Sequence, residues 1–300
     1  MYNITQKVPQ GKSMEKKRKK QLEKSYPAAL TISGSDSGGS SGIQADLRTF
    51  NAFGVYGCCV ISGIVSRNPA KLHRTDPVCP ELIASQIDAV MQEIDIKSVK
   101  CGMLFNAETI EAVANAAEKY QFKLICDANF SSFADPGCIE VFKAKLLPCT
   151  SWLFVNKSEA ELLLKKTISG INEEAAAAKE LHKSSGASVW LKSEASDKNS
   201  RQILTRLNDM ICHEGKMWRA SALKVDIPQV TSHGASSTLS AAITAALALE
   251  FPWEEAVYAG KSFVMGSLVE NVRIGKNITA MYPPGNDYSG SIRLEKMDVK

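Results

Sequence analysis

Hydrophobic and polar positions along this chain follow two different periods. Short runs of small and β-branched residues, as in 28–33 and 151–155, predict buried strands. Segments with an apolar residue at every third or fourth position, as in 80–94, predict helices with one buried face. Further strands are predicted at 56–65, 98–103, 122–126 and 188–191, and further helices at 43–53, 107–120, 173–184, 239–249 and 253–272.

This alternation of strands and helices predicts an α/β fold, in which a mostly parallel central sheet has helices on both faces. We expect one domain over residues 27–275. Within it, 203–207 and 210–218 predict hairpin strands with turns near Asn208-Asp209 and Glu214-Gly215. Residues 276–300 show no clear periodicity and are assigned to a C-terminal extension.

The net charge of +4 is unevenly distributed. Residues 1–26 contain eight Lys or Arg and two Glu, so this segment carries +6 and the rest of the chain carries −2. A nearly neutral body has no basic field for nucleic acid. The Lys-rich tail has little to bury, and we expect it to be disordered and solvated. A nucleic-acid or membrane-surface role for the tail is the less favoured alternative.

The cysteines and the apolar runs indicate a cytoplasmic protein. No apolar run reaches the ~20 residues of a membrane span, and no apolar segment follows the N-terminal charges as in a secretory signal. The eight cysteines form no CxxC pair, and most fall in apolar runs where cysteine behaves as a small hydrophobe. We therefore expect a reducing compartment, no disulfide framework and no zinc site.

Two loops rich in Gly and Ser each lead into a helix. Residues 34–42 contain four glycines and follow a predicted strand, while 233–238 precede the Ala/Leu-rich helix. Unpaired N–H groups at a helix start attract anions, and glycine allows close approach of a ligand. The simpler alternative is a capped core helix, since Ser and Thr are common caps. Neither loop matches the P-loop or the dinucleotide fingerprint.

Polar residues follow four of the predicted strands. They are Asp36, Asp127, Asn156 and Lys192, and a helix carrying Glu159 begins just after Asn156. Each alone is more often a cap or turn residue. The carboxyl ends of parallel strands share one edge of the sheet, where ligands bind in such folds. Together with the two loops, these residues predict a binding site at that edge.

Several motifs resemble one family of small-molecule kinases. Residues 29–57, with the segment Gly34-Ser35-Asp36-Ser37-Gly38-Gly39-Ser40-Ser41-Gly42, resemble the N-terminus of hydroxymethylpyrimidine/phosphomethylpyrimidine kinases. Those enzymes belong to thiamine biosynthesis and to the ribokinase superfamily. The similarity resumes at Gly102-Met103-Leu104, at Asn156 with Glu159-Ala160, and at His233-Gly234 with 238–242, and it spans about residues 28–270.

The resemblance implies a ribokinase-like fold and a reaction. The γ-phosphoryl group of ATP would pass to the hydroxymethyl group of a pyrimidine and then to its phosphate, with ATP and Mg²⁺ as cofactors. Such catalysis consists mainly of positioning and charge neutralisation. The family also implies a homodimer whose partners are its small-molecule substrate and ATP, with no nucleic acid and no membrane. Pyridoxal/pyridoxine kinases share the N-terminal loop and are the closest alternative.

The resemblance also implies roles for individual residues. Carboxylate oxygens suit the magnesium ion, and backbone amides before the helix suit the transferred phosphoryl group. The catalytic loop would be Gly234, Ala235, Ser236 and Ser237; the substrate residues Gly34, Asp36, Asp46, Arg67 and Met103; the nucleotide residues Asn156, Lys192 and His233; and the metal ligands Asp127 and Glu159.

The chain departs from the family in the catalytic loop. Ser237 stands where the family has Cys and where other superfamily members carry a catalytic Asp, and Ser236 replaces a glycine. Losing a general base can lower a rate by ~10²–10⁴, so a degenerate, weakly active or non-catalytic ligand-binding relative is a further alternative. Two other motifs also differ: residues 127–130 in place of Asp-Pro-Val-Met, and Lys192-Ser193-Glu194 in place of Lys-Gly-Gly.

Arg67 stands where the family has a pyrimidine-contacting Gln. A primary amide both donates and accepts hydrogen bonds, whereas a guanidinium only donates and carries a charge. If Arg67 points into the pocket, we predict an anionic or phosphorylated ligand. The alternative is an ordinary surface arginine beside Asn68-Pro69.

Overall fold

The computed structural model describes residues 25–68, 71–192, 206–225, 233–275 and 278–297. Its strands are β1 (Ala28–Asp36), β2 (Tyr56–Asn68), β3 (Lys71–Pro77), β4 (Ile96–Cys101), β5 (Leu124–Asp127), β6 (Thr150–Val155), β7 (Ser188–Leu191), β8 (Arg206–His213), β9 (Lys216–Leu223), β10 (Val272–Arg273), β11 (Thr279–Ala280) and β12 (Arg293–Met297). Its α-helices are α1 (Gly42–Ala52), α2 (Pro80–Met91), α3 (Ala107–Tyr120), α4 (Cys138–Val141), α5 (Lys157–Leu164), α6 (Gly170–Ser185), α7 (Ala235–Ala248) and α8 (Trp253–Val269).

Ten of these strands form one sheet, in the order β12-β9-β8-β7-β6-β5-β4-β1-β2-β3. The six central strands, from β7 to β2, pair in parallel. The outer pairs, β2 with β3 at one end and β7 to β12 at the other, are antiparallel. This confirms the predicted α/β fold with a mostly parallel central sheet.

The central strands bury side chains on both faces of the sheet. In β5, Leu124 and Cys126 face one apolar cluster and Ile125 faces another; in β7, Val189 and Trp190 divide in the same way. This two-sided burial explains why the strands appear in the sequence as continuous apolar runs. Helices α2, α3 and α6 contribute to the first cluster, and α7 and α8 to the second.

Helix α7 occupies the centre of one face. Its residues from Thr238 to Ala246 are all buried, and most are Ala, Ser or Thr. Small side chains allow a helix to lie close to the sheet and to its neighbours α1 and α8. The first turn of α7 is thereby held at the carboxyl ends of the central strands. None of the helices in the described part of the chain is long and apolar enough to cross a membrane.

Two sequence predictions about strands are wrong. β2 does not end before Arg67 but continues to Asn68 and forms a hairpin with β3, where Arg67 pairs with Leu72. All of β3 is exposed, so it lacks the apolar alternation that reveals a strand. The second error is the turn at Asn208-Asp209: both residues lie inside β8, whereas the turn at Glu214-Gly215 is confirmed.

Other segments were not predicted at all. Residues 130–149 form a 3₁₀ turn and the short helix α4, which continues irregularly to Cys149. Strand β12, from the segment assigned to a C-terminal extension, pairs with β9 and completes the sheet. The Lys-rich tail up to residue 24 lies outside the described residues.

Candidate active site

The two Gly/Ser loops meet at the carboxyl edge of the sheet. Gly234 has a φ of 91°, and a Cβ at this position would lie 1.8 Å from the carbonyl oxygen of Ser40. His233 Nε2 lies 3.1 Å from Ser41 Oγ in the same interface. Only glycine fits such an approach. The loop before α7 therefore packs directly on the loop after β1.

The β1–α1 loop is folded around the carboxylate of Asp36. Its Oδ1 accepts a hydrogen bond from Gly38 N at 2.8 Å, and its Oδ2 accepts from Ser41 N at 3.0 Å and Ser41 Oγ at 3.1 Å. The backbone N–H of Asp36 in turn donates to the side chain of Gln44. Asp36 is 3% exposed and lies at the wall of a small cavity. In this structure its carboxylate shapes the loop.

The amides at the start of α7 face the larger of two adjoining cavities. Gly234 is the N-cap residue, and the first intrahelical hydrogen bond runs from Thr238 N to Gly234 O at 2.8 Å. The N–H groups of the three residues before Thr238 precede that bond, and the helix dipole gives them a partial positive charge. Residues 234–237 all line the cavity, so the helix start forms a site suited to an anion.

A partly buried cation, Lys192, lies beside these amides. Lys192 Nζ donates to Asp127 Oδ1 at 2.7 Å and to Ser236 Oγ at 2.6 Å. The Ser236 hydroxyl donates to Asp127, and Ser240 Oγ adds a bond of 3.2 Å to the same carboxylate. Burial opposes ionisation of Asp127, but the charges of Lys192 and Lys100 outweigh it and lower its pKa. Burial likewise acts against the charge of Lys192, yet Asp127 and Glu159 raise its pKa.

Asn156 and Glu159 form the start of α5. Asn156 Oδ1 accepts from Glu159 N at 2.8 Å, and Glu159 Oε2 accepts from Asn156 N at 2.7 Å. This capping box explains the Asn-x-x-Glu spacing locally. Both side chains nevertheless line the larger cavity beside Lys192. The same residues can therefore fix the helix and face a ligand.

The larger cavity has a volume of about 750 Å³ and two different ends. One end holds the polar groups just described. The other is mainly apolar, with the buried ion pair of Asp209 and Lys261 (2.7 Å) at its wall. The apolar lining consists of Leu207, Ala222, Leu223, Val225, Val264, Met265 and Leu268.

A small second cavity adjoins the polar end. It is lined by Gly34, Asp36 and Val65 from β1 and β2. Six residues border both cavities: Ser41, Arg67, Met103, Asp127, Asn129 and Ser237. Because the two spaces share these walls, a small molecule at Gly34 and Met103 would lie next to the start of α7.

The structure brings together all but one of the residues proposed for the site. The exception is Asp46, which is fully buried in α1 and lines neither cavity. Its Oδ2 accepts from Lys100 Nζ at 2.9 Å and from Thr31 Oγ1 at 2.6 Å. Burial, partly offset by Lys100, raises its pKa. The expected contact between Asp46 and substrate therefore does not fit the structure.

The ion pair formed by Asp209 and Lys261 was not predicted from the sequence. Trp190 Nε1 also donates to Asp209 Oδ2 at 2.8 Å, so the carboxylate joins β7, β8 and α8. One signal was available, since Lys261 is a buried charge in an otherwise apolar stretch of α8. Lysine is almost never fully buried unless it is paired.

Comparison with known proteins gives a consistent result. The family model described as phosphomethylpyrimidine kinase matches residues 36–282. A hydroxymethylpyrimidine/phosphomethylpyrimidine kinase of Rhizobium meliloti is 32% identical over 255 residues, which is 83% of this chain and 93% of that protein. The enzyme of the same name from Synechococcus elongatus is 33% identical, over 83% of this chain and 94% of its own length.

Solved structures agree with the fold. An ADP complex of Bacillus subtilis pyridoxal kinase superposes with a TM-score of 0.76 and 28% identity, covering 86% of this chain and 98% of that one. Phosphomethylpyrimidine kinase from Clostridium difficile gives a TM-score of 0.66 and 28% identity, covering 79% and 97%. Because the family model matches residues 36–282, which is most of this chain, the chain belongs to the phosphomethylpyrimidine kinase family.

Proposed function

We propose that this chain transfers the γ-phosphoryl group of ATP to hydroxymethylpyrimidine or to its phosphate. The observation that carries the proposal is the convergence of the α7 amides, Lys192 and the loop around Asp36 on one pair of cavities. The transferred group would lie at residues 234–237, where amide N–H groups and a nearby ammonium stabilise negative charge.

The larger cavity would hold ATP. Its apolar end suits a flat heterocycle, while Asn156, Lys192 and His233 border the polar end where phosphates would lie. Lys192 has three N–H donors. Two of them reach Asp127 and Ser236, so one remains for a phosphate oxygen. The pyrimidine would occupy the smaller cavity beside Gly34, Arg67 and Met103.

The donor set fits Mg²⁺. Magnesium is usually held by one or two carboxylates together with substrate phosphates and water. The polar end of the cavity provides two carboxylates, Asp127 and Glu159, while Asp209 lies at the apolar end; no cluster of three or more acidic, His or Cys ligands exists in the described residues. We propose Asp127 and Glu159 as its protein ligands, where the ion would neutralise charge on the phosphate oxygens.

Ser237 is not ionised near neutral pH and is a weak proton acceptor. The proposed reaction does not depend on a strong base, because phosphoryl transfer is dominated by positioning and charge neutralisation. Ser237 borders both cavities. The role we assign to it is to donate hydrogen bonds from its N–H and its hydroxyl to the phosphoryl group. This favours an active enzyme over a degenerate relative.

Pyridoxal or a related vitamer is the second candidate substrate. It is favoured by the superposition on Bacillus subtilis pyridoxal kinase, whose TM-score exceeds that of the Clostridium difficile enzyme. The sequence relatives at 32–33% identity instead favour the pyrimidine. We also propose that the protein is a homodimer and is located in the cytoplasm. The roles of individual residues in binding the nucleotide and the metal are proposals as well.

An ATP-consumption assay tests the proposal. Hydroxymethylpyrimidine, its phosphate and pyridoxine are offered to the parent chain and to the Ser236→Gly and Ser237→Cys variants, with Mg²⁺ present. We expect the parent to phosphorylate a pyrimidine. Turnover only in the variants would instead establish a degenerate enzyme. No turnover in any of the proteins would refute this substrate class.

A further inference from the structure

Arg67 is a charged residue with a defined backbone position. It lies near the end of β2, where Ser37 Oγ accepts from Arg67 N at 2.9 Å and donates to Arg67 O at 2.7 Å. A Cβ at Gly38 would lie 3.1 Å from the carbonyl oxygen of Arg67 and from the Cα of Asn68, so the loop passes close to this backbone. The origin of the side chain is therefore fixed against the β1–α1 loop.

The side chain of Arg67 borders both cavities. It is only partly exposed, and its Nε is buried without a hydrogen-bond partner in the described part of the chain. The alternative of an ordinary surface arginine is thus wrong. A buried N–H that makes no hydrogen bond is costly unless a ligand supplies an acceptor.

In the described part of the chain, the charge of Arg67 has no protein counter-ion. Among the described residues, no Asp or Glu oxygen lies within 4.0 Å of its guanidinium. Asp36, the acid of the neighbouring loop, already accepts hydrogen bonds from Gly38 and Ser41. A cation at a partly enclosed wall is costly without a partner, so an anionic ligand would be attracted to it.

The neighbouring histidine does not duplicate this charge. Burial lowers the pKa of His233, and the charge of Arg67 lowers it further, against a smaller opposite effect of Asp36. Near pH 7 the imidazole is therefore neutral. Arg67 is then the fixed cation of the wall shared by the two cavities.

We propose that Arg67 makes the enzyme selective for the phosphate monoester of the pyrimidine over the neutral alcohol. A guanidinium offers only donors, in a fork that fits a phosphate. A neutral pyrimidine edge presents donors as well as acceptors, and its donors find no partner on Arg67. This inference rests on the proposed function and narrows it to the second phosphorylation. A separate phosphoryl transfer to the alcohol must then supply the substrate.

The test compares two substrates in three proteins. Calorimetric Kd values without ATP, and kcat/KM with ATP, are measured for the alcohol and its phosphate. The proteins are the parent, Arg67→Gln and Arg74→Gln. Arg74 lies on β3 beside β2, is exposed and pairs with Asp76, so its variant controls for the loss of one positive charge.

We expect the parent to prefer the phosphate by at least about 10-fold, the factor typical of a charge-assisted hydrogen bond. Arg67→Gln should lower this ratio at least about 10-fold, mainly through Kd and KM for the phosphate, and Arg74→Gln should not. The inference is overturned if the parent binds the alcohol at least as tightly, or if Arg67→Gln weakens both ligands equally. Binding without turnover would contradict the proposed function but still decide the role of Arg67.

Discussion

Lys192 Nζ lies 2.6 Å from the hydroxyl oxygen of Ser236. This contact links the end of β7 to the first turn of α7. Because the same hydroxyl donates to Asp127, Ser236 bridges the two members of a largely buried ion pair. The serine that replaces a glycine of the family therefore holds the cation of the proposed phosphate site.

Removing the bridging hydroxyl should weaken the use of ATP. We predict that Ser236→Ala raises KM for ATP about 10-fold, since hydrogen bonds to charged groups contribute ~1.5–3 kcal/mol. Steady-state kinetics at varied ATP measures this. Ser240→Ala is the matched control, because Ser240 contacts Asp127 but not Lys192, and its effect should be smaller. Equal KM values for Ser236→Ala and the parent would contradict the bridging role.

Gly234 should be intolerant of any side chain. We predict that Gly234→Ala lowers the free energy of unfolding by about 2–4 kcal/mol, because the new Cβ would collide with the Ser40 carbonyl and φ is positive. Urea denaturation followed by circular dichroism measures the change.

Gly54 provides the control for the backbone effect alone. It also has a positive φ, 75°, but a Cβ there would meet nothing within 4 Å. Gly54→Ala should therefore lower the free energy of unfolding by only ~1 kcal/mol. If Gly234→Ala and Gly54→Ala lowered the free energy of unfolding by similar amounts, the loop before α7 would not pack as closely on the β1–α1 loop as described.

The pair of Asp46 and Lys100 should matter for stability and not for substrate binding. We predict that Asp46→Asn lowers the free energy of unfolding by about 3–5 kcal/mol, because it leaves a fully buried ammonium without a counter-ion. KM values of the folded variant should stay within about 3-fold of the parent, a range too small for a lost charged contact.

The exposed ion pair of Lys119 and Asp88 serves as the control for the buried pair of Asp46 and Lys100. Lys119→Ala should change the free energy of unfolding much less than Asp46→Asn does, because exposed ion pairs are screened by water. A large rise in substrate KM for Asp46→Asn, with little loss of stability, would restore the role in substrate binding that the family resemblance implied.

His213 should make stability depend on pH. Its ring stacks on Trp152 with a centroid distance of 5.3 Å, and a second tryptophan, Trp253, lies 4.5 Å away. Burial lowers its pKa, and His182 and Lys216 act in the same direction, while Glu214 and Glu254 oppose it. Below its ordinary pKa of about 6.5, the unfolded chain therefore binds more protons than the folded chain.

The stability contributed by His213 is thus present above about pH 6.5 and is lost as the pH falls below it. We predict that the free energy of unfolding of the parent falls between pH 7 and pH 5 more steeply than that of His213→Phe. The phenyl ring keeps the stacking but cannot titrate. Parallel pH profiles of the two proteins would refute this prediction.

The sequence predicts elements best where a local signal agrees with burial. Helix α3 has the predicted limits, because Asn106 caps its start and Gln121 ends it in the left-handed conformation. Strand β3 is exposed throughout and β12 is only partly buried, and neither shows apolar alternation in the sequence. Asn208-Asp209 is a common turn sequence, but here Trp190 and Lys261 bind Asp209 within a strand.

The site likewise contains residues whose positions follow from the predicted topology and one residue whose position depends on tertiary packing. The carboxyl ends of parallel strands bring Asp36, Asp127, Asn156 and Lys192 to one edge, as the topology predicted. Asp46 was assigned by resemblance alone, and its burial on the inner side of α1 depends on tertiary packing with Lys100. The sequence around Asp46 contains no signal for its pairing with Lys100, which lies 54 residues away.

The most direct test of the central claim is phosphoryl transfer from ATP to the pyrimidine phosphate, followed by ³¹P NMR, in the parent and in Lys192→Ala. Lys119→Ala is the control for removal of an exposed lysine. We predict a diphosphate product from the parent and the control, and at least a ~100-fold lower kcat/KM in Lys192→Ala, since a buried charge-assisted contact is lost. Unchanged transfer in Lys192→Ala would contradict the assignment of this cavity as the phosphoryl-transfer site.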